Sequence, residues 1–261
     1  MEIHNWASWD LHGDVIAGVA IAALLYLLLA ARNRKGGGKA VSGARAASFA
    51  SGLFVILIAL NGPLHALADH YLFSAHMVQH LLLTLVVPPL LLAGLPQSLI
   101  DPLPSLAGLL RRLTAPLIAC ILYNAILIVW HVPLFYGWAM ENHAIHIGQH
   151  LLFLGSALLL WWPVAGPRLA GAGMPAPAQL LYLFLAGVPM ILVAAFVTLA
   201  DEPLYRFYAL APRLFGISPL DDQVAGGVIM WVPGSLVYLI AITVVYFRWV
   251  ATESEESDGT F

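Results

Sequence analysis

The sequence predicts an all-α membrane protein with seven transmembrane helices, and three observations lead to this fold class. Of the 261 residues, 61% are hydrophobic and only 10% are charged, whereas a soluble domain is roughly 45–50% apolar and about 25% charged. The apolar residues form blocks of about 18–25 residues, the length at which a helix crosses a bilayer. A polar motif with its apolar surroundings also occurs twice, which indicates repeated helical hairpins.

The predicted spans follow the apolar blocks and cover residues 14–31, 48–67, 76–95, 114–131, 145–163, 178–200 and 224–248. Spans two and three, four and five, and six and seven form three helical hairpins, to which the N-terminal span is added. Residues 1–248 are thus expected to be one transmembrane domain. Residues 249–261 form an acidic tail, "WVATESEESDGTF", which we expect to be cytoplasmic and without regular structure.

Lysine and arginine predict the orientation of the spans, because cytoplasmic loops of membrane proteins carry the excess of these residues. Arg206 and Arg213 lie on one side. The other side holds Arg32, Arg34, Lys35, Lys39, Arg45, Arg111, Arg112, Arg168 and Arg248. This bias places the N-terminus outside and the C-terminus in the cytoplasm. The first segment lacks a basic region, so its apolar block is interpreted as a retained span and not a signal peptide.

All ten histidines fall on or near the predicted outer face, and four of them form a repeated motif. Residues 76–83 read "HMVQHLLL" and residues 146–153 read "HIGQHLLF". Residues i and i+4 of a helix share one face, so the pairs His76/His80 and His146/His150 each point in one direction. On neighbouring helices they would form a cluster of four imidazoles. The isolated histidines are expected to be interface anchors or surface groups; these are His4, His12, His65, His70 and His143.

The repeat extends beyond the motif, since residues 61–83 align with residues 131–153 at an offset of 70 positions. Residues 202–231 form a degenerate third copy. In this copy Asp222 stands about where the first histidine would, Gly226 stands where the second would, and Met230 continues the same helical face. Asp222 and Met230 therefore complete the predicted metal ligands, with His76, His80, His146 and His150.

Four imidazoles are compatible with several metals, and the residues alone leave the choice open. Neutral imidazole binds zinc, copper, iron and nickel, whereas thioethers favour Cu(I). Met77, Met140 and Met230 all lie near the outer half, and Met230 is better aimed than Met77 to supply one. A carboxylate from Asp222 would favour zinc or Cu(II), and a zinc hydrolase would use it as a base. Haem b would need one axial histidine from each of two helices, here His80 and His150.

Other classes of function are disfavoured by the composition. The net charge of −3 and the lack of a basic patch or Gly-rich phosphate loop argue against a nucleic-acid partner. The single cysteine, Cys120, excludes an internal disulfide and any metal site with several cysteines.

The segments "NGPLHALADHYLFSAHMVQHLLLTLVVPPLLLAGLP", "IVWHVPLFY", "HIGQHLLF" and "PLDDQVAGGVIMWVPG" resemble the CtaG-type membrane proteins of bacteria, over roughly residues 50–248. Those proteins are described as assembly factors for cytochrome c oxidase. The resemblance implies a non-enzymatic inner-membrane protein that delivers copper to the oxidase. Its partners would be oxidase subunits, the bilayer and periplasmic copper carriers. The alternatives are a zinc-dependent lipid-amide hydrolase and a haem b electron carrier.

Overall fold

The computed structural model describes residues 11–96, 104–167 and 173–258, together with Ala7 and Trp9. These residues form helices and turns, with no strand among them. The helices are α1 (Gly13–Lys35), α2 (Gly43–Ala59), α3 (Gly62–His70), α4 (Phe73–Leu81), α5 (Val87–Gly94), α6 (Pro104–Leu113), α7 (Pro116–His131), α8 (Pro133–Glu141), α9 (His143–Ala165), α10 (Ala176–Thr198), α11 (Arg206–Leu210) and α12 (Pro219–Asp258). A π-helical turn, Leu82–Val86, joins α4 to α5.

The described helices are compatible with the predicted seven spans. Five are long and apolar enough to cross a membrane: Gly13–Lys35, Phe73–Gly94, His143–Ala165, Ala176–Thr198 and Pro219–Ser254. Two further pairs of helices meet the same criteria together but are bent, α2 with α3 by 47° and α7 with α8 by 77°. Counting each bent pair as one span gives seven, so the predicted fold class is confirmed.

The two bends occur at equivalent positions of the sequence repeat. Pro63 and Pro133 each lie in the first turn of the helix that follows the bend. Proline disfavours the helical conformation of the residue before it, and Val132 accordingly adopts an extended conformation between α7 and α8. The other bend uses Gly62, whose φ of +69° is a conformation that glycine adopts at little cost. The helices α4 and α9 then begin at equivalent positions, Phe73 and His143.

Packing between the helices confirms the three predicted hairpins. The bent pair α2–α3 packs against α5 and α4, α7–α8 packs against α9, and α10 packs along α12. Contacts of α12 with α4 and of α9 with the π-turn and α5 join the hairpins into one bundle. α1 packs mainly on α2.

The C-terminal tail differs from the prediction, because α12 continues as a helix to Asp258. Local bonds support this extension. The Trp249 indole N–H donates to Glu253 Oε1 at 2.8 Å, and the Thr252 hydroxyl donates to the Arg248 carbonyl at 2.8 Å. Pairs of residues four positions apart stabilise a helix in this way, and the acidic composition did not reveal them.

Candidate metal centre

The four histidines of the two repeated motifs meet between α4 and α9. Ring centroids are 4.2 Å apart for His76 and His80 and 4.4 Å apart for His146 and His150. Between the two helices, His76 lies 5.3 Å from His146, and His80 lies 5.6 Å from His150. The structure thus brings together all four imidazoles that the repeat predicts. We call these four residues the histidine cluster.

Tyr208 of α11 orients the ring of His76. Its hydroxyl donates to the Ala68 carbonyl at 2.6 Å and lies 3.0 Å from His76 Nδ1. A phenol has one proton, and burial raises the pKa of Tyr208 well above its ordinary value, so the hydroxyl stays protonated. Because that proton goes to Ala68, the Nδ1–H of His76 donates to the phenol oxygen. The lone pair of His76 is therefore on Nε2.

The Nε2 atoms of His76 and His80 are 2.7 Å apart. Within the protein alone, this distance is a hydrogen bond in which His80 Nε2–H donates to His76 Nε2. Two imidazoles bound to one tetrahedral ion, with bonds of about 2.0 Å, would have their nitrogens about 3.3 Å apart. Separating the two Nε2 atoms by about 0.6 Å, with the proton of His80 moved to its unpaired Nδ1, would therefore turn this bond into a pair of metal ligands.

Asp69 of α3 approaches the histidines of α9 from the other side of the cluster. Its carboxylate lies 3.3 Å from His65 Nε2 and 3.7 Å from His146 Nδ1, both at ion-pair distance. Gln79 holds His65 in turn, because its amide N–H donates to the Ala59 carbonyl at 2.7 Å and to His65 Nδ1 at 2.9 Å. Carboxylates that contact the outer nitrogen of a ligand histidine fix its orientation and raise its basicity.

Several buried ring nitrogens in this region have no hydrogen-bond partner within the described protein. They are His80 Nδ1, His131 Nε2, His146 Nε2 and His150 Nε2. Buried polar atoms are nearly always paired, so each exception calls for an explanation. Two groups of side chains each place three possible ligand atoms within 4.8 Å of one another. One group is His76, His80 and His150, and the other is Asp69, His76 and His146. Spacing of this kind is compatible with an ion that has three protein ligands, after small movements of the side chains.

Further histidines extend the cluster in both directions. On one side, the rings of His65 and His146 are 6.5 Å apart, His12 stacks edge-on to His65 at 4.3 Å, and the exposed His143 lies 6.5 Å from His12. On the other side, the buried His131 lies 6.3 Å from His80. Apart from His70, every histidine in the described ranges belongs to this series of rings, which runs from an exposed side chain to a buried one. His4 falls outside those ranges.

Asp222 lies apart from the imidazoles, at the N-terminus of α4. Its carboxylate accepts from the Phe73 N–H at 2.7 Å, from the Ser74 N–H at 3.0 Å and from the Ser74 hydroxyl at 2.5 Å. These bonds satisfy amide groups that the first turn of a helix leaves without intrahelical partners. Asp222 therefore caps α4 from α12, and neither of the two groups of donor atoms includes it.

The other two positions of the degenerate copy have different surroundings. A Cβ atom at Gly226 would lie 2.4 Å from a ring carbon of Phe73, so α12 comes too close to α4 there for any side chain. Met230 lines a cavity together with His80 and His131. The structure thus brings Met230 near the histidine cluster, whereas Asp222 supports the helix on which His76 and His80 lie.

Three contributors escaped the sequence analysis. Asp69 follows His65 by four residues, a spacing that could have drawn attention to both. His131 aligns with Asn61 in the repeat and so had no histidine counterpart. Tyr208 lies in a short helix between spans, where no periodic pattern signals a contact with α4.

These features define a class: an all-helical integral membrane protein with a buried group of histidines toward one end of its bundle. More particularly, the chain belongs to the cytochrome c oxidase caa3 assembly factor family (Caa3_CtaG), whose model matches residues 24–252. The matched region contains both histidine motifs and the segment around Asp222. The family resemblance drawn from the sequence is therefore confirmed.

Similar sequences occur in mycobacteria. Uncharacterized proteins of Mycobacterium bovis and Mycobacterium tuberculosis are each 28% identical over 204 residues, which cover 68% of this chain and 30% of theirs. An uncharacterized protein of Mycobacterium leprae is 26% identical over 229 residues, 73% of this chain and 33% of its own length. The chain thus spans about a third of the length of these curated relatives. No solved structure matches it.

Proposed function

We propose that this protein is a cytochrome c oxidase assembly factor that holds copper in the histidine cluster and delivers it to the oxidase. The observation that carries the proposal is the pair of buried Nε2 atoms without partners, on His146 and His150, beside the facing Nε2 atoms of His76 and His80. An unpaired buried polar atom costs about 1–3 kcal/mol. A bound ion would recover that free energy by using the lone pairs. Membership in the assembly-factor family supports the oxidase as the destination.

The geometry favours a bare ion over haem b. A porphyrin between His80 and His150 would occupy the plane midway between the two rings. The ring of His76 lies 4.2 Å from His80 and 6.0 Å from His150, so it would overlap the macrocycle. Imidazole with few carboxylates suits copper or zinc. Because histidine ligands exchange more readily than a thiolate cage, they also suit a site that must release its ion.

The series of rings supplies a route for loading the cluster. His143 is exposed, His12 is partly buried, and His65 leads from His12 to His146. Successive ring centroids lie no more than 6.5 Å apart, so an ion could pass along them by exchanging one ligand at a time. Under the proposed orientation this route opens outward, where a periplasmic copper carrier and the copper-binding part of the oxidase would meet it.

A zinc-dependent hydrolase is the second candidate, because His76, His80 and His150 form a set of three ligands. Such an enzyme would hold a reactive water in the fourth position. Metal analysis of the purified protein separates the candidates. Zinc with a chelator-sensitive hydrolytic activity would favour the enzyme, and copper without such activity would favour delivery.

The delivery proposal is tested by His80→Ala and His150→Ala, with His70→Ala as the matched control. His70 is an exposed histidine of the same end of the bundle, and its ring packs edge-on to Tyr71. We expect both cluster variants to insert normally, to bind little copper, and to leave cells with oxidase that contains haem but lacks activity. The control should behave like the wild type.

Added copper should partly restore oxidase activity in the cluster variants, because a high metal concentration can replace a delivery step by mass action. It could not replace a missing structural subunit. Normal oxidase copper in the variants, together with no rescue, would contradict delivery and favour the enzyme or a scaffold.

The proposed orientation, with the N-terminus outside and the C-terminus in the cytoplasm, is tested by two matched cysteine variants in a Cys120→Ala background. Ala144 and Ala40 are exposed and lie at opposite ends of the bundle. In intact cells, Ala144→Cys should react with an impermeant thiol reagent, and Ala40→Cys should react only after the membrane is opened. The reverse pattern would place the histidine cluster on the cytoplasmic side and remove the basis for outward delivery.

A further inference from the structure

A small cavity lies further into the bundle than the histidine cluster, on the far side of His80. Its volume is about 20 Å³, enough for roughly one water-sized sphere. Three methionines and two histidines line it, and its remaining walls are aliphatic, aromatic and hydroxyl side chains. We call Met77, Met190, Met230, His80 and His131 the methionine chamber.

Both histidines of the chamber are buried and carry a ring nitrogen without a partner. Only 5% of His80 and 7% of His131 is exposed. The His131 Nδ1 atom lies 2.7 Å from the Leu127 carbonyl, and since a carbonyl can only accept, Nδ1 carries the proton. The Nε2 atom of His131 therefore holds a lone pair that no described protein group uses. The Nδ1 atom of His80 has no partner either.

The methionines come from three different helices, α4, α10 and α12, and all are buried. Methionine often fills irregular gaps in a core, and packing alone would explain one such side chain. Here, however, three of the six methionines in the chain border one cavity beside two unpartnered imidazoles. Gly234 provides room for Met190, because a Cβ atom there would lie 2.6 Å from the Met190 methyl carbon and 3.1 Å from its sulfur.

We infer that the methionine chamber binds Cu(I), with thioethers of Met190 and Met230 and imidazoles of His80 and His131 as ligands. Thioethers select Cu(I) among the metals that imidazole also binds. All ligands are neutral, and no carboxylate borders the cavity. Burial of charge in a medium of low dielectric is costly, so such a site suits a monovalent ion better than a divalent one. The histidine cluster, beside Asp69, suits a divalent ion.

This inference deepens the proposed function and relies on it only for copper as the natural metal. It adds a second site and an oxidation state. His80 borders both sites, and a neutral imidazole offers its one lone pair to one site at a time. When Nε2–H donates to His76, Nδ1 is free for the chamber, and when the proton moves to Nδ1, Nε2 is free for the cluster. A Cu(I) ion that reaches the cluster could thus move inward by exchange of ligands around one imidazole, with no redox step, whereas a divalent ion would stay in the cluster beside Asp69.

The test uses the purified full-length chain in detergent, titrated with Ag(I), or with Cu(I) against a chromogenic chelator. The variant Met190→Leu with Met230→Leu removes two thioethers and keeps the side-chain volume, a change that cores tolerate well. Met174→Leu is the control, because Met174 packs against the core elsewhere. We expect the double variant to bind Ag(I) at least about tenfold more weakly while it still takes up Zn(II). His146→Ala should show the opposite pattern.

X-ray absorption of the Ag(I)-loaded wild type gives a test that does not depend on how a variant folds. It should show sulfur in the first coordination shell. A shell of nitrogen and oxygen only, or unchanged Ag(I) binding in the double variant, would overturn the chamber. Loss of both Ag(I) and Zn(II) in a folded double variant would also overturn it, because the methionines would then belong to the histidine cluster.

Failure of the proposed function and failure of the chamber give different results. If the proposed function is wrong, cells with the histidine variants will keep normal oxidase copper, whatever the methionine variants do.

Discussion

The helices α4 and α9 carry the same His-x-x-Gln-His motif, but their surroundings satisfy it differently. On α4, His76 Nδ1 is paired with Tyr208, and Gln79 is paired with the Ala59 carbonyl and with His65. Two buried polar atoms of the α4 motif lack a partner within the described protein, Gln79 Oε1 and His80 Nδ1. On α9 four do: both amide atoms of the buried Gln149 and the Nε2 atoms of His146 and His150. The repeat therefore conserved the spacing of the side chains, whereas the polar contacts around them diverged.

The caps of the two helices diverged in the same way. α9 is capped from within its own sequence, because Asn142 Oδ1 accepts from the Ala144 and Ile145 N–H groups. The equivalent residue before α4 is Leu72, which cannot cap. Asp222 of α12 supplies that cap instead. The start of α4 is thus fixed by tertiary structure, and the start of α9 by local structure.

This difference indicates that α4 is organised before an ion binds and that α9 completes the site. Preorganised ligands bind metal more tightly, because less ordering is needed on binding. Ligands with free lone pairs gain the most when the ion arrives. Substitutions in α4 should therefore lower the stability of the metal-free protein more than matched substitutions in α9. Substitutions in α9 should mainly weaken metal binding.

The largest contrast is expected between the two caps. Asp222→Ala would leave two α4 amides and a serine hydroxyl in the core without their charged acceptor, and hydrogen bonds to charged groups contribute about 1.5–3 kcal/mol each. We expect it to lower the free energy of unfolding by about 3 kcal/mol or more. Asn142→Ala should lower it by about 1 kcal/mol, the usual value for a cap. Thermal unfolding in detergent measures both.

Asp222→Asn sharpens this test, because it keeps an oxygen acceptor and removes the charge. If Asp222 acts as a cap, the folded fraction of this variant should bind metal as the wild type does. A stable, folded Asp222→Asn protein without metal would instead show that the carboxylate is a ligand.

The sequence was sufficient to predict the parts of the site that repeat. The i,i+4 spacing of His76/His80 and of His146/His150 fixed their common faces, and the shared offset placed both pairs at one depth. Span count and hairpin pairing followed from the apolar blocks and from the same repeat. These predictions succeeded because helical geometry determines them locally.

Tertiary packing determined the rest. Asp222 occupies the position of a histidine in the third copy, which suggested a ligand, but its role depends on where α12 meets the start of α4. The sequence around Leu72 lacks a capping residue and hence requires a cap from elsewhere, yet it does not say which residue supplies it. Likewise, Tyr208 reaches His76 only because α11 folds back over the bundle.

A smaller contrast is expected between the first histidines of the two motifs. His76→Ala and His146→Ala both remove a buried imidazole, so the loss of stability from the cavity left behind should be similar in the two variants. His76→Ala also removes the acceptor of the His80 Nε2–H and a donor to the Tyr208 oxygen. His146→Ala removes a longer contact, of 3.7 Å, with the Asp69 carboxylate, and the Nε2 atom of His146 has no described partner to lose. We expect the free energy of unfolding of the metal-free protein to be about 1–2 kcal/mol lower for His76→Ala than for His146→Ala. Equal destabilisation would indicate that α4 is not the more organised half.

The smallest contrast concerns the glutamines, and it separates stability from metal binding most directly. Gln79→Leu would leave the Ala59 carbonyl and His65 Nδ1 without a donor. The free energy of unfolding of the metal-free protein should therefore fall by about 1–2 kcal/mol. Gln149→Leu would remove two unpaired polar atoms from a buried position and should be neutral or slightly stabilising, since replacing an unsatisfied group by an apolar one of similar shape removes its desolvation cost. If Gln149 orients the α9 imidazoles once an ion is bound, Gln149→Leu should still weaken zinc or copper binding by about tenfold. Calorimetric titration of both variants, beside their melting curves, tests the two effects. A Gln149→Leu protein that melts lower than Gln79→Leu would show that α9 is held by contacts other than those described, and the comparison between the two motifs would then have to be reversed.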